Sequence, residues 1–277
     1  MIRGSTGLIA HIGFPTYAFK APMIYNPYFA QAQMDVVVVP MACRAEHFPD
    51  FLRAVFTLDN IRGALITMPH KVTTLALLDD ASPAALIAGA CNAVRRSADG
   101  RLEGDMFDGE GFVRGLLRKG CTVAGARALV VGAGGVGSAI AAALAASDVA
   151  AISLFDTHAA SAQTLAVRLR QHYPKLQVHT GCNDPDGADI VVNATPMGMH
   201  DDDPMPMDVA RIGLDAFVGE VVMQREMTAF LHAVQARGCR FQIGSDMLFE
   251  QIPAYLAFFD LPVTTPEHLR SIAQLLA

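Results

Sequence analysis

The chain has 277 residues, 52% of them hydrophobic and 17% charged, the balance of a compact globular protein with room for one large or two ordinary domains. Its net charge of −6 and its scattered Lys and Arg residues offer no basic surface, which excludes nucleic acid as an expected partner. No run approaches the ~20 apolar residues of a membrane span, and the cysteines at 43, 91, 121, 182 and 239 contain no C-x-x-C pair. Neither a membrane partner, a disulfide frame nor a metal site is therefore expected. The opening segment, Met1 to Gly13, lacks a charged start before a long apolar stretch. Together with reduced thiols, this predicts a cytoplasmic protein.

Strand and helix patterns alternate almost throughout, the mark of parallel α/β architecture. Strands are expected at 8–13, 36–40 and 63–67, with helices near 22–34, 46–59, 70–78 and 83–89. Short strands at 93–96 and 101–105 then flank Asp99-Gly100, a good hairpin turn. A helix over 109–119 leads to a strand at 128–131, the run GAGGVG at 132–137 and an alanine-rich helix from Ser138. A strand at 151–155, a helix at 159–172, a weak strand near 177 and a strand at 189–194 follow. The loop at 200–206 carries three adjacent aspartates and reads as a mobile solvated surface rather than a metal site. Strands at 216–222 and 239–244 and helices at 227–237, 247–259 and 266–276 complete the chain.

The glycine run is the strongest local signal. A backbone that turns sharply from strand to helix, admits a pyrophosphate and then packs helix on strand wants Gly132, Gly134 and Gly137 in those three roles. Ala133, Gly135 and Val136 complete the turn, and the phosphates are expected at the helix N-terminus, where unpaired N–H groups and the dipole favour an anion. A bare G-x-G-x-x-G is weak evidence, but here it stands between a strand and a helix. The next strand ends at Asp156, 19 residues beyond Gly137, where an acid accepting hydrogen bonds from an adenine ribose belongs. A dinucleotide site in mid-chain is thus predicted, and more than a hundred residues before it are left to hold a substrate.

Three pieces in and just after that preceding region carry candidate chemistry: ITMPHK with Thr67 and Lys71, ACNA with Asn92, and GDMFDGEGF with Asp108. Lys71 follows a strand and a proline and opens a helix, the crevice position at which parallel α/β proteins bind ligands. Together with the early GFP and Pro22, NATPMGM at 193–199 and MLFEQ at 247–251, these pieces resemble the shikimate dehydrogenase family, which includes quinate dehydrogenases. The resemblance covers nearly the whole chain in order. It implies an N-terminal α/β substrate domain over 1–108, completed by C-terminal helices 247–277 that pack back on it, and a doubly wound Rossmann-type domain over 109–246. It also implies reversible hydride transfer between a nicotinamide cofactor and a ring alcohol or ketone.

By resemblance, Lys71 and Asp108 match the family's catalytic pair. Oxidising an alcohol requires a base at the hydroxyl. An amine serves only when neutral, whereas a nearby carboxylate favours its charged form. Asp108 is therefore expected to orient Lys71 while partial burial offsets the charge effect; Lys71 alone and the coupled pair both remain candidates for the base. Thr67, Asn92 and Gln251 match positions that bond ring hydroxyls or this pair. Asn193, Ala194, Thr195, Pro196 and Met197 match the loop beside the nicotinamide, and Gly244 is assigned to the cofactor side.

The departures are as informative. Where the family has two serines for the substrate carboxylate, aligned on Pro22, this chain has Phe19 and Ala21. A family asparagine is Leu65, an asparagine-threonine pair is Met106-Phe107, and a tyrosine reaching the carboxylate falls on Met223. An unpaired buried carboxylate is heavily penalised, so shikimate is expected to be a poor substrate unless Lys20, Tyr17 or Tyr25 takes over. Members using NADP carry asparagine and arginine where this chain has Asp156-Thr157-His158. NAD is therefore expected in preference to NADP. The leading expectation is an NAD-dependent dehydrogenase of a quinate-like or less acidic cyclic polyol, as monomer or homodimer. The alternatives are the ordinary shikimate dehydrogenase of aromatic amino-acid biosynthesis and a non-catalytic dinucleotide or metabolite sensor.

Overall fold

The computed structural model describes residues 2–275. The chain forms two compact units, one running up to Phe107 and resuming from Ile252, the other spanning Asp108–Gln251. The boundaries expected from the sequence are 108/109 and 246/247; in the structure Asp108 and residues 247–251 belong to the second unit.

The first unit contains β1 (Gly7–Gly13), α1 (Ala21–Gln31), β2 (Val36–Ala42), α2 (Phe48–Val55), β3 (Ile61–Ile66), α3 (Lys71–Leu75), β4 (Asp80–Ala81), α4 (Pro83–Ala88), β5 (Ala93–Arg96) and β6 (Leu102–Asp105). Its sheet has the order β2-β1-β3-β5-β6-β4, with β1 parallel to both β2 and β3 and β5 antiparallel to β3 and β6. Ala10 and Ile12 of β1 and Ala64 and Ile66 of β3 bury one face against Phe48, Leu52 and Val55 of α2. Helix α4 shows how sequence sets local structure: Ser82 accepts the N–H of Ala85 (3.1 Å), Pro83 opens the helix, and Gly89 closes it at φ 66°.

In the second unit lie α5 (Asp108–Arg118), β7 (Arg127–Val131), α6 (Gly135–Ala146), β8 (Ala151–Phe155), α7 (Ala159–His172), β9 (Gln177–Thr180), β10 (Ile190–Asn193), β11 (Phe217–Glu220), α8 (Ala229–Ala236), β12 (Arg240–Gln242) and α9 (Gly244–Glu250). All six strands are parallel in the order β12-β11-β10-β7-β8-β9, the doubly wound arrangement whose order reverses between β7 and β10. The first unit then resumes with α10 (Ile252–Phe258) and α11 (Pro266–Ile272). These return to its core: Tyr28 donates to the carbonyl of Pro262 (2.8 Å), Arg95 to that of Phe258 (2.8 Å), and the Gln274 N–H to Met23 (2.9 Å).

Four expected elements are corrected. The helix expected at 70–78 stops at Leu75, because the chain beyond it turns to pair β4 with β6, held by the Leu102 N–H on Asp79 (2.8 Å). The single helix expected at 247–259 is two, starting at Gly244 and interrupted at Gln251, since Pro253 has no N–H for the ladder and crowds the preceding turn. The helix after the glycine run begins at Gly135, inside the run, rather than at Ser138. The expected helix at 266–276 ends at Ile272, and its last residue lies outside the described residues. The cysteines are all unbonded, and four of the five are buried.

Candidate functional site

In the first unit, the chemistry collects where β1 and β3 end. The Thr67 N–H donates to the Ile12 carbonyl (3.0 Å) and the Phe14 N–H to that of Met68 (3.0 Å), which fastens the two strand exits side by side. A Cβ on Gly13 would meet Thr67 Cγ2 at 2.5 Å and Phe19 Cζ at 2.7 Å, so the Phe19 ring and the Thr67 side chain converge on this glycine. Phe19 also stacks on His11 of β1, with ring centroids 4.0 Å apart. Lys71 opens α3 half-buried, and its carbonyl accepts the Cys91 N–H (2.8 Å). That bond sets Asn92 beside it. The Asn92 carboxamide oxygen accepts the Phe107 N–H (3.0 Å), while its Nδ2 is buried without a partner. A buried donor left unpaired costs about 1–3 kcal/mol, which suits a group waiting for a ligand.

The residues expected to replace polar groups of the family divide. Phe19 lies at the strand exits, and Ala21 begins α1, 8% exposed. Phe107 instead packs edge-on against Tyr255 (4.9 Å) and Phe258 (5.6 Å), serving the interior of the unit, and Leu65 is buried in β3. Of the side chains weighed as replacements for the serines, Tyr17 is 89% exposed, Tyr25 is buried on α1 against Phe29, and Lys20 is half-buried just before that helix.

The second unit gathers its residues at the reversal point. Gly132 adopts φ 103°, and a Cβ there would meet the Ala194 carbonyl oxygen at 2.6 Å and the Thr195 nitrogen at 3.0 Å. A Cβ on Gly137 would collide with the Gly132 carbonyl, so α6 packs on its own strand only because this residue is glycine. Ala133 and Gly134 lead into a helix whose first turn is Gly135, Val136 and Gly137, and a Cβ on Gly134 would meet nothing within 4 Å. A close-approach glycine over open space at the N-terminus of a 12-residue helix fits a dinucleotide phosphate. Asp156, just past β8, turns toward this loop: its carboxylate accepts the N–H of Ala133 (2.7 Å) and of His158 (2.8 Å).

Asn193 ends β10 fully buried and organises the loop after it. Its oxygen accepts from the Thr195 N–H (3.1 Å) and hydroxyl (2.6 Å), and its Nδ2 donates to the carbonyl of Met197 (3.0 Å) and to Glu220 Oε1 (2.7 Å). The other oxygen of Glu220 accepts from Thr228 (2.7 Å), the cap of α8. Pro196 lies within the loop so held. Gly244 begins α9 hard against the backbone of Val221 and Val222, next to the half-buried Met223. Asp108 is the first residue of α5, 4% exposed at a helix N-terminus that favours an anion. One turn along, Gly111 lets Gln251 approach, where a Cβ would meet Gln251 Cβ at 2.7 Å, and Gln251 Oε1 is buried without a partner.

Two groups of consequence escaped the sequence reading. Glu220 is 1% exposed, and burial raises its pKa, outweighing the lowering by its bonds to Thr228 and Asn193. Its signal was an acid at the end of the apolar strand 216–222. His11 was equally visible as a lone histidine among apolar residues of the first strand. Burial, and then the charge of Lys71, lowers its pKa from 6.5 to about 3. The folded protein thus binds this proton less readily than the unfolded chain, so stability is full above 6.5 and falls as pH drops toward 3. Between pH 7 and pH 5 this is worth about 2 kcal/mol, and the apparent thermal midpoint is expected to fall by several degrees more in the wild type than in His11→Asn. Equal falls in scanning calorimetry at the two pH values would rule the effect out.

At 200–206, the expected solvated loop is tied down: Asp203 accepts the N–H groups of Gly198 and His200 (both 2.9 Å), and Asp201 pairs with Arg225. Among the described residues no helix is long and apolar enough to cross a membrane.

The chain is similar to known proteins. Residues 12–94 match the family described as shikimate dehydrogenase substrate binding domain. The shikimate dehydrogenase (NADP(+)) of Rubrobacter xylanophilus is 34% identical over 255 residues, 90% of this chain and 89% of its own. Among solved structures, a quinate dehydrogenase from Corynebacterium glutamicum in complex with NAD is 29% identical, covers 96% of this chain and 98% of its own, and superposes with a TM-score of 0.85. A shikimate 5-dehydrogenase from Listeria monocytogenes, in complex with shikimate and NAD, is 26% identical, with 98% and 97% covered and a TM-score of 0.88. Fold and relatives define an oxidoreductase that acts on CH–OH groups with a nicotinamide dinucleotide. The chain belongs to the shikimate dehydrogenase family, as a shikimate/quinate dehydrogenase-like member.

Proposed function

We propose that this protein is an NAD-dependent dehydrogenase of a cyclic polyol or hydroxy acid, quinate-like or less acidic than shikimate, with its carboxylate site altered. The observation that carries the reading is the Phe19 ring, seated against Gly13, Thr67 and His11, at a position that aligns on Pro22 with a family serine. An aromatic ring gives no hydrogen to a carboxylate, and a site that leaves a charge unpaired discriminates against it by several kcal/mol. Ala21 removes the second hydroxyl, and Met223 replaces a family tyrosine.

In this reading Lys71 Nζ takes the hydroxyl proton of the substrate during oxidation and returns it during reduction. Asp108 is the second member of the catalytic pair that the family resemblance implies. By resemblance Thr67, Asn92 and Gln251 bond ring hydroxyls or this pair, and Asn92 Nδ2 and Gln251 Oε1 are each buried without a partner. A nicotinamide dinucleotide supplies the hydride acceptor when bound. Residues Gly132 to Gly137 would hold its pyrophosphate, Asp156 its adenine ribose, and the loop from Asn193 to Met197, with Gly244, the nicotinamide end.

The choice of NAD rests on Asp156. A carboxylate at this position repels a 2′-phosphate and accepts from a 2′-hydroxyl. Replacement by Asp156→Asn with Thr157→Arg is expected to move the NADP/NAD ratio of kcat/KM by about tenfold or more toward NADP. The asparagine keeps only one of the two backbone bonds, so turnover with both cofactors falls and the ratio is the quantity to read. An unaltered ratio would count against the assignment. The location in the cytoplasm and a monomeric or homodimeric state complete the reading; sedimentation analysis decides the latter.

A further inference from the structure

We infer that the His11 imidazole hydrogen-bonds a hydroxyl group of the substrate and takes part in its selection. This rests on the polyol reading above and names a residue that serves it. Along β1 the side chains alternate, so Ala10 and Ile12 enter the core under α2 while His11 and Gly13 share the opposite face. On that face lie the Phe19 ring, stacked on the imidazole at 28°, and the Thr67 methyl. Lys71 is close enough for its charge to act on the ring.

The imidazole is 8% exposed, and its Nδ1 is buried without a hydrogen-bond partner. Phe and Leu would fill such a place without that cost, so an unpaired nitrogen here is best explained by a ligand that completes it. The chemistry also selects the ligand. Burial keeps the ring neutral, and a neutral imidazole offers one donor and one acceptor. A hydroxyl meets Nδ1 in either tautomer, accepting its hydrogen in one or donating to it in the other. A carboxylate only accepts, and a neutral ring leaves its charge uncompensated. The stacked pair of His11 and Phe19 thus turns this corner of the substrate face from anion recognition to hydroxyl recognition.

The test uses the substrate with the highest kcat/KM in a panel of neutral cyclic polyols, quinate and shikimate with NAD. His11→Phe, which keeps a ring over Phe19 but no polar atom, is expected to lower kcat/KM for that substrate by about tenfold or more. The loss should fall mainly on substrate KM, with NAD KM unchanged. His11→Asn, whose amide reaches the region of Nδ1, should recover part of it, and His11→Leu serves in place of His11→Phe if that variant does not fold. A kcat/KM within twofold of wild type in the apolar variant, or an equal rise in NAD KM, overturns the inference. If shikimate proves to be the wild type's best substrate, the polyol reading fails, and the same variants on shikimate still decide the role of His11.

Discussion

Lys71→Ala is expected to lower kcat for the preferred substrate by about 10³-fold, the middle of the range for losing a positioned general base. The substrate dissociation constant, read by fluorescence quenching in the absence of turnover, should change by less than about tenfold. The physical reason is that the lysine proton transfer is needed only as the C–H bond breaks, so its loss falls on the barrier rather than on ground-state binding. The backbone at Lys71 is held independently of its side chain, through the Cys91 N–H on its carbonyl and His70 stacked on Phe48 at 3.9 Å. Truncation to alanine therefore leaves the loop in place. A variant retaining more than about a tenth of wild-type kcat would remove Lys71 from the chemistry. Asp108→Asn distinguishes the lysine alone from the pair: a loss comparable to that of Lys71→Ala, without a further loss in the double variant, marks the two as one unit.

The second large effect is a gain. Phe19→Ser with Ala21→Ser is expected to raise kcat/KM for shikimate by about 100-fold, because each hydroxyl bonded to a charged group contributes about 1.5–3 kcal/mol. The expectation is set below the full value of two such bonds because Met223 is left unrestored. Phe19 is the more important of the two, since its ring fills the space beside Gly13 and Thr67. The same double variant should lose activity on the wild type's preferred substrate, as the stacking partner of His11 goes with Phe19. Unimproved turnover of shikimate would mean that the carboxylate is refused elsewhere, or was never refused.

What the sequence made legible were features that one stretch of chain specifies by itself. The turn at 132–137 is one, because Gly132 needs a positive φ and Gly137 a missing side chain whatever surrounds them. The Ser82-Pro83 opening and Gly89 close of α4 are another. Even the break before Pro253 was written in the chain and was overlooked because the flanking residues keep a helical pattern. Features built by distant segments were not legible. The strand β4 exists because residues 80 and 81 find β6. The Asn193-Glu220-Thr228 network joins three strand and helix ends. Among site residues, Asp156 was visible by its spacing, but its bond to the Ala133 N–H, which ties the acid to the glycine turn, was not. His11 and Phe19 were each visible, yet nothing in the spacing of a strand residue and a loop residue indicates that their rings stack.

The central claim is that the chain retains the proton and hydride chemistry of its family while its carboxylate recognition and cofactor choice have changed. Steady-state kcat/KM for shikimate, quinate and neutral cyclic polyols, each with NAD and NADP and followed by absorbance of the reduced cofactor, tests it most directly. The prediction is that NAD with a quinate-like or neutral polyol is the best pair and that shikimate stays below about 10⁴ M⁻¹s⁻¹, the low end of ordinary enzyme efficiency. Shikimate with NADP as the best pair, at or above that value, would contradict it.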